Sequence, residues 1–197
     1  MTMVTANEVV LEGVVREAPV WSHENRSTAF YRFFLAVPRL SGKADILPIL
    51  VTDLQKELIK VGEFLQIRGE LRSFNNRSGT GNKLVLTVFA REVLPPEGRP
   101  CNRIHLTGCL CKAPVFRRTP LGRCISDLML AVPRRYGRAD YLPLIAWGQL
   151  AIHLRSAQVG DTLALTGRFQ SRCYQKVTDS GCEDRVAYEV SVMELDP

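Results

Sequence analysis

The sequence predicts an all-β protein made of two copies of one five-stranded module, with one short helix in each copy. Residues 35–48 read LAVPRLSGKADILP, and residues 130–143 read LAVPRRYGRADYLP. Ten of these fourteen positions are identical at an offset of 95 residues. Because self-similarity at a fixed period indicates repeated structural units, we interpret the 197-residue chain as two modules of similar length.

Each copy begins with a strand rich in β-branched residues, at 9–15 and at 104–110. Gly13 and Gly108 interrupt these strands at equivalent positions and indicate the bend that a small barrel needs. An Ala-Pro-Val triplet and an aromatic residue follow in both copies. Since Trp21 and Phe116 occupy these equivalent places, we expect both to be structural. Polar loops are predicted at 22–27 and 117–123.

The rest of each copy is predicted to form four more strands and one helix, in the same order in both copies. Pro38 and Pro133 end the second strand of each copy, since proline has no N–H to donate to a neighbouring strand. Leu54, Leu58 and Val61 have helical spacing in the first copy. The predicted ranges are strands 30–37, 45–51, 64–73 and 84–93 with a helix over 53–61, then strands 125–132, 140–147, 162–174 and 186–195 with a helix ending before Gly160.

Five strands with a helix between the third and the fourth is the order of an OB-fold barrel. The predicted fold is therefore two tandem OB-fold five-stranded barrels, with a half-open five-stranded sheet as the alternative. The first repeat is assigned to residues 1–94, a proline-rich linker to 95–102 and the second repeat to 103–197. Prolines in the linker favour an extended, semi-rigid spacer. Phe30, Phe33, Phe34 and Phe74 are mostly core residues by alternation, although Phe74 could instead serve a weaker binding surface together with Arg72.

Composition sets limits on the partners and on the compartment. The net charge is +6, of which residues 100–197 contribute more than residues 1–99. A mild basic excess permits a polyanionic partner. The sequence has no apolar run of about 18 residues that would cross a membrane, and its start lacks the features of a signal peptide. A cytoplasmic protein with no membrane partner is therefore predicted.

All six cysteines lie in the second half of the chain, and none forms a C-x-x-C pair. The three histidines are not spaced with them as zinc ligands usually are. We expect reduced thiols packed as small apolar groups, with a metal site or a disulfide as the alternative. No metal site and no cofactor are predicted.

The ordered set of short motifs resembles the bacterial single-strand DNA-binding protein family. The second copy carries Leu-Thr-Gly at 106–108, Trp-Gly-Gln at 147–149, Val-Gly-Asp at 159–161 and Gly-Arg-Phe at 167–169. The first copy keeps Leu-Glu-Gly at 11–13, Val-Gly-Glu at 61–63 and Arg-Gly at 68–69. The likeness extends over both copies almost from end to end.

The resemblance implies that bases stack on aromatic side chains of the barrel's outer face. By position these aromatics fall on Tyr136, Tyr141, Trp147 and Tyr174. The corresponding residues of the first copy are Ser41, Ile46, Thr52 and Asn76, and none of them is aromatic. The second repeat is therefore predicted to hold the main surface for single-stranded DNA, with RNA as an alternative ligand.

The residues of the second copy support the prediction of a DNA-binding surface independently of the resemblance to the family. Along 140–147, aliphatic Leu142, Leu144 and Ala146 alternate with a face that carries Tyr141 and Trp147. Stacking on an aromatic ring tolerates any base, and cations neutralise phosphates. Trp147 could instead cap the barrel. The predicted cations near the aromatics are Arg134, Arg135, Arg138, Arg168 and Arg172.

The first copy is predicted to act mainly in assembly and through a secondary basic surface. Asp45 and Asp140 are shared by both copies and are expected to hold a turn. The resemblance implies a homodimer that brings four OB folds together. The chain stops directly after its last strand, so a tail-less member without the family's acidic recruitment tail is expected. The secondary basic surface comprises Arg39, Lys43, Arg68, Arg72, Arg77 and Lys83.

Three classes of function compete, and sequence-tolerant binding of single-stranded DNA is the leading hypothesis. Such binding would serve DNA replication, recombination, repair or maintenance of a mobile element, with replication or restart proteins as further partners. The alternative is a primosome-type assembly module that binds DNA weakly. An enzyme is not predicted, because the sequence has no metalloprotease motif, phosphate-binding glycine loop or nucleophile elbow, and no catalytic residue is assigned.

Overall fold

The computed structural model describes residues 6–76, 82–178 and 181–196. Within these ranges each repeat has six strands and one short α-helix, and the second repeat also has a 3₁₀ turn at Arg135–Gly137. The first repeat contains β1 (Asn7–Val15), β2 (Val20–Asn25), β3 (Thr28–Pro38), β4 (Ala44–Thr52), α1 (Asp53–Lys56), β5 (Phe64–Asn75) and β6 (Leu84–Leu94). The second contains β7 (Asn102–Leu110), β8 (Val115–Arg118), β9 (Cys124–Pro133), β10 (Ala139–Trp147), α2 (Gly148–Leu154), β11 (Thr162–Thr178) and β12 (Gly181–Leu195).

Five strands close into a barrel in each repeat. In the first repeat β1 pairs with β3, β3 with β4, β4 with β6, β6 with β5, and β5 with β1 again. In the second repeat β7, β9, β10, β12 and β11 form the same ring. Only the β4–β6 and β10–β12 pairings are parallel among the described strands. The predicted OB-fold order is confirmed, and the half-open sheet is not what forms.

The two barrels have apolar cores built by alternation along their strands. Leu11, Phe33 and Ile49 are fully buried in the first barrel, and Ile104 and Phe169 are fully buried in the second. Of the four phenylalanines expected in the first core, Phe33 is fully buried. Phe30 and Phe34 are only half-buried, and Phe74 is exposed, which agrees with the alternative surface position considered for it.

Two strands extend into segments predicted as polar loops: β2 takes in residues 22–25, and β8 takes in residues 117–118. β2 and β8 each form a hairpin with the next strand, β3 and β9. Every residue of β2 is exposed, so no alternation of apolar and polar residues marks it in the sequence. Trp21 lies on this edge strand with 63% of its surface exposed, whereas the equivalent Phe116 packs against the core. The structural role predicted for Trp21 is therefore not supported by burial.

The first helix is four residues long, shorter than the predicted 53–61. Gln55 accounts for its start, because its side-chain oxygen accepts a hydrogen bond from the Thr52 backbone N–H at 3.0 Å. After Lys56 the chain forms tight i→i+3 turns that bring Ile59 into the core. The helical spacing was misleading here, since the side chains at 54, 58 and 61 are all exposed.

Gly13 and Gly108 mark the places where each barrel closes. A Cβ added at Gly13 would lie 2.3 Å from the Ala36 carbonyl oxygen, and one at Gly108 would lie 2.5 Å from the Ala131 carbonyl oxygen. These are the points where β1 meets β3 and β7 meets β9. The predicted bend at the two glycines therefore has a steric cause, the close approach of two strand backbones.

β1 and β7 join the two barrels into one twelve-stranded sheet. They pair antiparallel, with Val9 opposite Ile104. These two residues are equivalent by the repeat offset, so a local two-fold axis passes between them. The arrangement is the intramolecular counterpart of a symmetric dimer interface, in which the same patch pairs with itself.

Each repeat also holds the other through a buried aspartate. Asp140 has no exposed surface, and its Oδ1 accepts a hydrogen bond from the Ser73 backbone N–H of the first repeat at 2.6 Å. Its Oδ2 accepts hydrogen bonds from Arg134 Nε at 2.5 Å and from Arg72 Nη1 at 3.0 Å. The Ser73 hydroxyl in turn accepts a hydrogen bond from the Tyr141 backbone N–H at 2.8 Å.

The same arrangement recurs on the other side of the two-fold axis. Asp45, also fully buried, accepts a hydrogen bond from the Ser171 backbone N–H at 2.8 Å. Arg39 donates to Asp45 Oδ2 and to the Ser171 carbonyl oxygen, both at 2.8 Å. We call these two networks the aspartate clamps. The predicted turn-holding role of Asp45 and Asp140 is thus only half of what they do, because they also connect the repeats.

The linker between β6 and β7 docks on the first barrel. The buried Glu12 Oε1 accepts hydrogen bonds from the Glu97 backbone N–H at 2.9 Å and from Gln66 Nε2 at 2.6 Å. Arg68 pairs with Glu97 at 3.1 Å. The predicted semi-rigid spacer is therefore held by specific contacts as well as by its prolines. β7 begins at Asn102, the last residue of the predicted linker, so the linker ends one residue earlier than predicted.

Substituting Gly13 with alanine should destabilise the protein by about 1–3 kcal/mol, because the Cβ would force β1 and β3 apart. Thermal and denaturant unfolding would measure this change. Gly42→Asn is the matched control, since Gly42 lies in open space at φ +81°, a conformation that asparagine tolerates. Equal stability of the Gly13→Ala protein and the native protein would contradict the proposed closure.

Substituting Asp140 with alanine should cost about 3 kcal/mol, because Arg134 and Arg72 would lose their partner in a site where each is only 20% exposed. Denaturant unfolding would measure the loss. Asp127→Ala is the control, since its pair with Arg117 is about half exposed and should contribute less than about 1 kcal/mol. Similar losses for both variants would argue against the clamp.

Candidate nucleic-acid interface

β10 presents two of the four predicted aromatics on the outside of the second barrel. Tyr141 is 50% exposed and Trp147 is 40% exposed, whereas Leu142, Leu144 and Ala146 are buried. The predicted alternation is therefore present, although Ile145 is buried as well. The two aromatics are six positions apart, so they lie about 20 Å apart along the strand.

Trp147 lies at the end of β10, where α2 begins. It lines a cavity of about 550 Å³ together with Arg123, Cys124, Gln149 and Ile152. Its exposure leaves the indole free to meet a ligand. A cation beside an exposed indole can neutralise a phosphate while the ring stacks on a base.

Tyr174 lies on β11 and contacts both repeats. Its hydroxyl donates a hydrogen bond to Asn82 Oδ1 of the first repeat at 3.3 Å. The Arg172 guanidinium lies 5.7 Å from the centroid of the tyrosine ring. The half-buried ring therefore already carries a cation on one side.

Tyr136 lies apart from the other three, in a turn between β9 and β10. It is 94% exposed, and its backbone is left-handed with φ 65° and ψ 37°. The groove that it lines is formed largely by residues of the first barrel. The structure therefore does not bring the four predicted aromatics into one cleft.

The five predicted cations divide into two groups. Arg134 and Arg168 form ion pairs with the buried Asp140 and Asp45, so they belong to the aspartate clamps. Arg172 is exposed and lies 3.7 Å from Glu189. Arg135 and Arg138 are exposed, and neither has an ion pair with any residue that the structure describes. These last two are the most available to phosphates.

The secondary basic surface is also largely engaged in structure. Arg39 and Arg72 belong to the aspartate clamps, and Arg68 pairs with Glu97 of the linker. Lys43 and Lys83 are exposed and have no ion pair within the described ranges. Arg77 lies outside the described residues.

The sequence interpretation missed an aromatic group on the first barrel. Phe30 stacks on His23 with ring centroids 5.0 Å apart, and its ring lies 5.9 Å from that of Phe89. Phe74 is 41% exposed nearby and lines the same groove. These residues do not align with the aromatics of the second repeat. Alternation along β6 could have found Phe89, since it stands between the buried Val88 and Ala90.

The cysteines are free thiols, but they are less buried than predicted. Cys173 and Cys182 are exposed and the other four are half-buried. Cys111 Sγ lies 3.3 Å from the Met129 carbonyl oxygen. Burial, and then the nearby Glu12 carboxylate, raise the pKa of the Cys101 thiol, which keeps it protonated. No group of three potential metal ligands occurs among the described residues.

Neither helix in the described part of the chain is long and apolar enough to cross a membrane. Two linked OB-fold barrels with outward aromatics and arginines have the features of an oligonucleotide-binding protein. The sequence model of the "Single-strand binding protein family" matches residues 101–197. The second repeat therefore belongs to the single-strand binding protein family. Proteins of this family bind DNA without being enzymes, in agreement with the prediction that this chain is not an enzyme.

Solved structures resemble the whole chain. The wild-type single-stranded DNA binding protein from Thermus aquaticus is 24% identical, with a TM-score of 0.77 over 98% of this chain and 92% of that chain. A deletion variant of the same protein gives a TM-score of 0.78 at 24% identity, over 98% of this chain and 94% of that one. This likeness shows that both repeats share the tandem fold. A search of curated proteins found no match.

Proposed function

We propose that the protein binds single-stranded DNA without strong sequence preference. The observation that carries this proposal is the outward face of β10, where Tyr141 and Trp147 are exposed while the strand's other face forms the core. Membership of the second repeat in the single-strand binding protein family supports it. Base stacking and phosphate neutralisation are the two interactions that such binding needs.

The surface of the second repeat provides both interactions. Tyr141, Trp147 and Tyr174 supply aromatic rings along β10 and β11, and Arg172 supplies a cation next to Tyr174. Arg135 and Arg138 supply further positive charge in the turn before β10. Because stacking uses the faces of bases rather than their edges, such a surface accepts any sequence.

Such a protein would serve processes that expose single strands, namely DNA replication, recombination, repair or the maintenance of a mobile element. A homodimer would bring four barrels together and lengthen the bound segment. In the alternative function, an assembly module, the barrels dock a replication protein and bind DNA weakly. Salt distinguishes these proposals, because DNA affinity should fall steeply as counterions compete for phosphates.

The double substitution Trp147→Ala and Tyr141→Ala should weaken binding of oligo-dT, since each stacked base contributes roughly 1–3 kcal/mol. Fluorescence anisotropy of a labelled oligonucleotide would measure the affinity. Trp21→Ala is the control, because Trp21 is an exposed indole on the edge strand β2 of the other repeat. Unchanged affinity of the folded double variant would contradict the stacking role.

Substituting Arg135 or Arg138 with alanine should lower the slope of log affinity against log salt by about 1 for each phosphate contact removed. Arg117→Ala is the matched control, since Arg117 is already paired with Asp127 at 2.8 Å. Titrations at several salt concentrations would give the slopes. An identical slope for the native protein and for the Arg135 and Arg138 variants would exclude phosphate contacts at these positions.

A further inference from the structure

A groove of about 1170 Å³ crosses the first barrel and reaches the second repeat. Strands β1, β5 and β6 contribute to its lining. The turn between β2 and β3 lines the groove, and so does the turn at residues 133–138 of the second repeat. Since both repeats line the groove, its shape depends on the β1–β7 pairing and the aspartate clamps that connect them.

Aromatic rings line this groove. His23 and Phe30 stack with an interplanar angle of 18°, and Phe89 lies beside Phe30. Phe74 exposes 41% of its surface and Tyr136 exposes 94%. Flat rings with accessible faces are the groups on which unpaired bases stack.

The phenylalanines of this set are specific to the first repeat. Ile49 and Leu144 are equivalent by the repeat offset, and they pair with Val88 and Val190. The residues that follow these two partners, Phe89 and Ser191, are therefore equivalent as well. By the repeat offsets, Phe30 is equivalent to Ile125 and Phe74 to Arg172. The groove is therefore not a degenerate version of the surface on the second repeat, because its phenylalanines occupy other positions.

The charge of the groove favours a polyanion. Arg26, Arg135 and Arg138 line it, and none of them has an ion pair with a residue that the structure describes. The two glutamates in its lining are Glu8 and Glu70, and Glu70 is already paired with both Arg72 and Arg91. Arginines therefore outnumber the acidic groups that could repel a phosphate backbone.

The position of Tyr136 is fixed by the tight turn between β9 and β10. Tyr136 and Gly137 both have a positive φ there, of 65° and 67°, as the turn of a hairpin requires. Two residues before Tyr136, Arg134 is fixed in the clamp by Asp140 and donates a hydrogen bond to the Ser73 carbonyl oxygen at 3.2 Å. The clamp therefore holds the exposed ring over the face of the other barrel.

We propose that this groove seats bases of the same single strand that the second repeat binds. The first repeat then binds DNA through its own aromatic set, besides any part it has in assembly. The strand passes from β10 over the turn at 133–138, where Tyr136, Arg135 and Arg138 lie, and continues between Phe74 and Phe30. This inference rests on the proposed function, because it extends the path of the same ligand.

Phe74→Ala should weaken binding of an oligo-dT of about 30 nucleotides by roughly 5- to 150-fold, which corresponds to the loss of one stacked base. An oligo-dT of about 10 nucleotides fits on one OB fold and should bind the second repeat with unchanged affinity. Phe74→Tyr keeps the ring and should restore binding of the long oligonucleotide. Leu54→Ala, an exposed apolar residue on α1 outside the groove, is the control.

The outcomes separate this inference from the proposed function. If the native protein binds both oligonucleotides and Phe74→Ala binds the long one equally well, the groove does not seat bases, and a protein ligand becomes its better occupant. A native chain that binds neither oligonucleotide would overturn the proposed function and this inference with it.

Photo-cross-linking locates the strand directly. The native protein is irradiated with a long oligo-dT that contains 5-iododeoxyuridine, and the modified peptides are identified by mass spectrometry. We expect cross-links in the groove, at Phe74, His23 or Tyr136, in addition to those at Trp147. Cross-links confined to β10, α2 and β11 would overturn the inference while leaving the proposed function intact.

Discussion

The pairing of β1 with β7 is the interaction on which the rest of the structure depends. It places equivalent residues opposite each other, makes one sheet from two barrels and fixes the two-fold relation between them. The buried Asp45 and Asp140 then secure the same relation at the two turns. A buried carboxylate needs partners, and here each one accepts a backbone N–H from the other repeat and pairs with one arginine from each repeat. Removing these contacts would separate the walls of the groove.

Much of the fold could be predicted from the sequence because the repeat is strong and the strands alternate. The order of the strands, the bend at Gly13 and Gly108 and the outward position of Tyr141 and Trp147 all follow from local patterns. β2 could not be predicted, because a strand exposed on both faces has no alternation. The short α1 was missed because apolar side chains at helical spacing there face solvent.

The site was harder to predict, because its parts meet only in the folded chain. The sequence groups Tyr136 with Tyr141, but the fold turns Tyr136 toward the first barrel. Arg134 and Arg168 look like phosphate ligands in the sequence, yet both bind buried aspartates. Phe30 and Phe89 belong to strands that are distant in sequence and adjacent only in the barrel. These are long-range contacts, and a local pattern carries no information about them.

The most direct test of the central claim is a fluorescence titration with oligo-dT. The chain has two tryptophans, so a Trp21→Phe variant leaves Trp147 as the only indole reporter. Titrations at about 50 mM and about 200 mM salt would separate stacking from the electrostatic contribution. If the second barrel binds single strands through Trp147, the fluorescence is quenched and the affinity falls at the higher salt. A folded protein whose Trp147 fluorescence does not respond to oligo-dT at either salt concentration would contradict the claim.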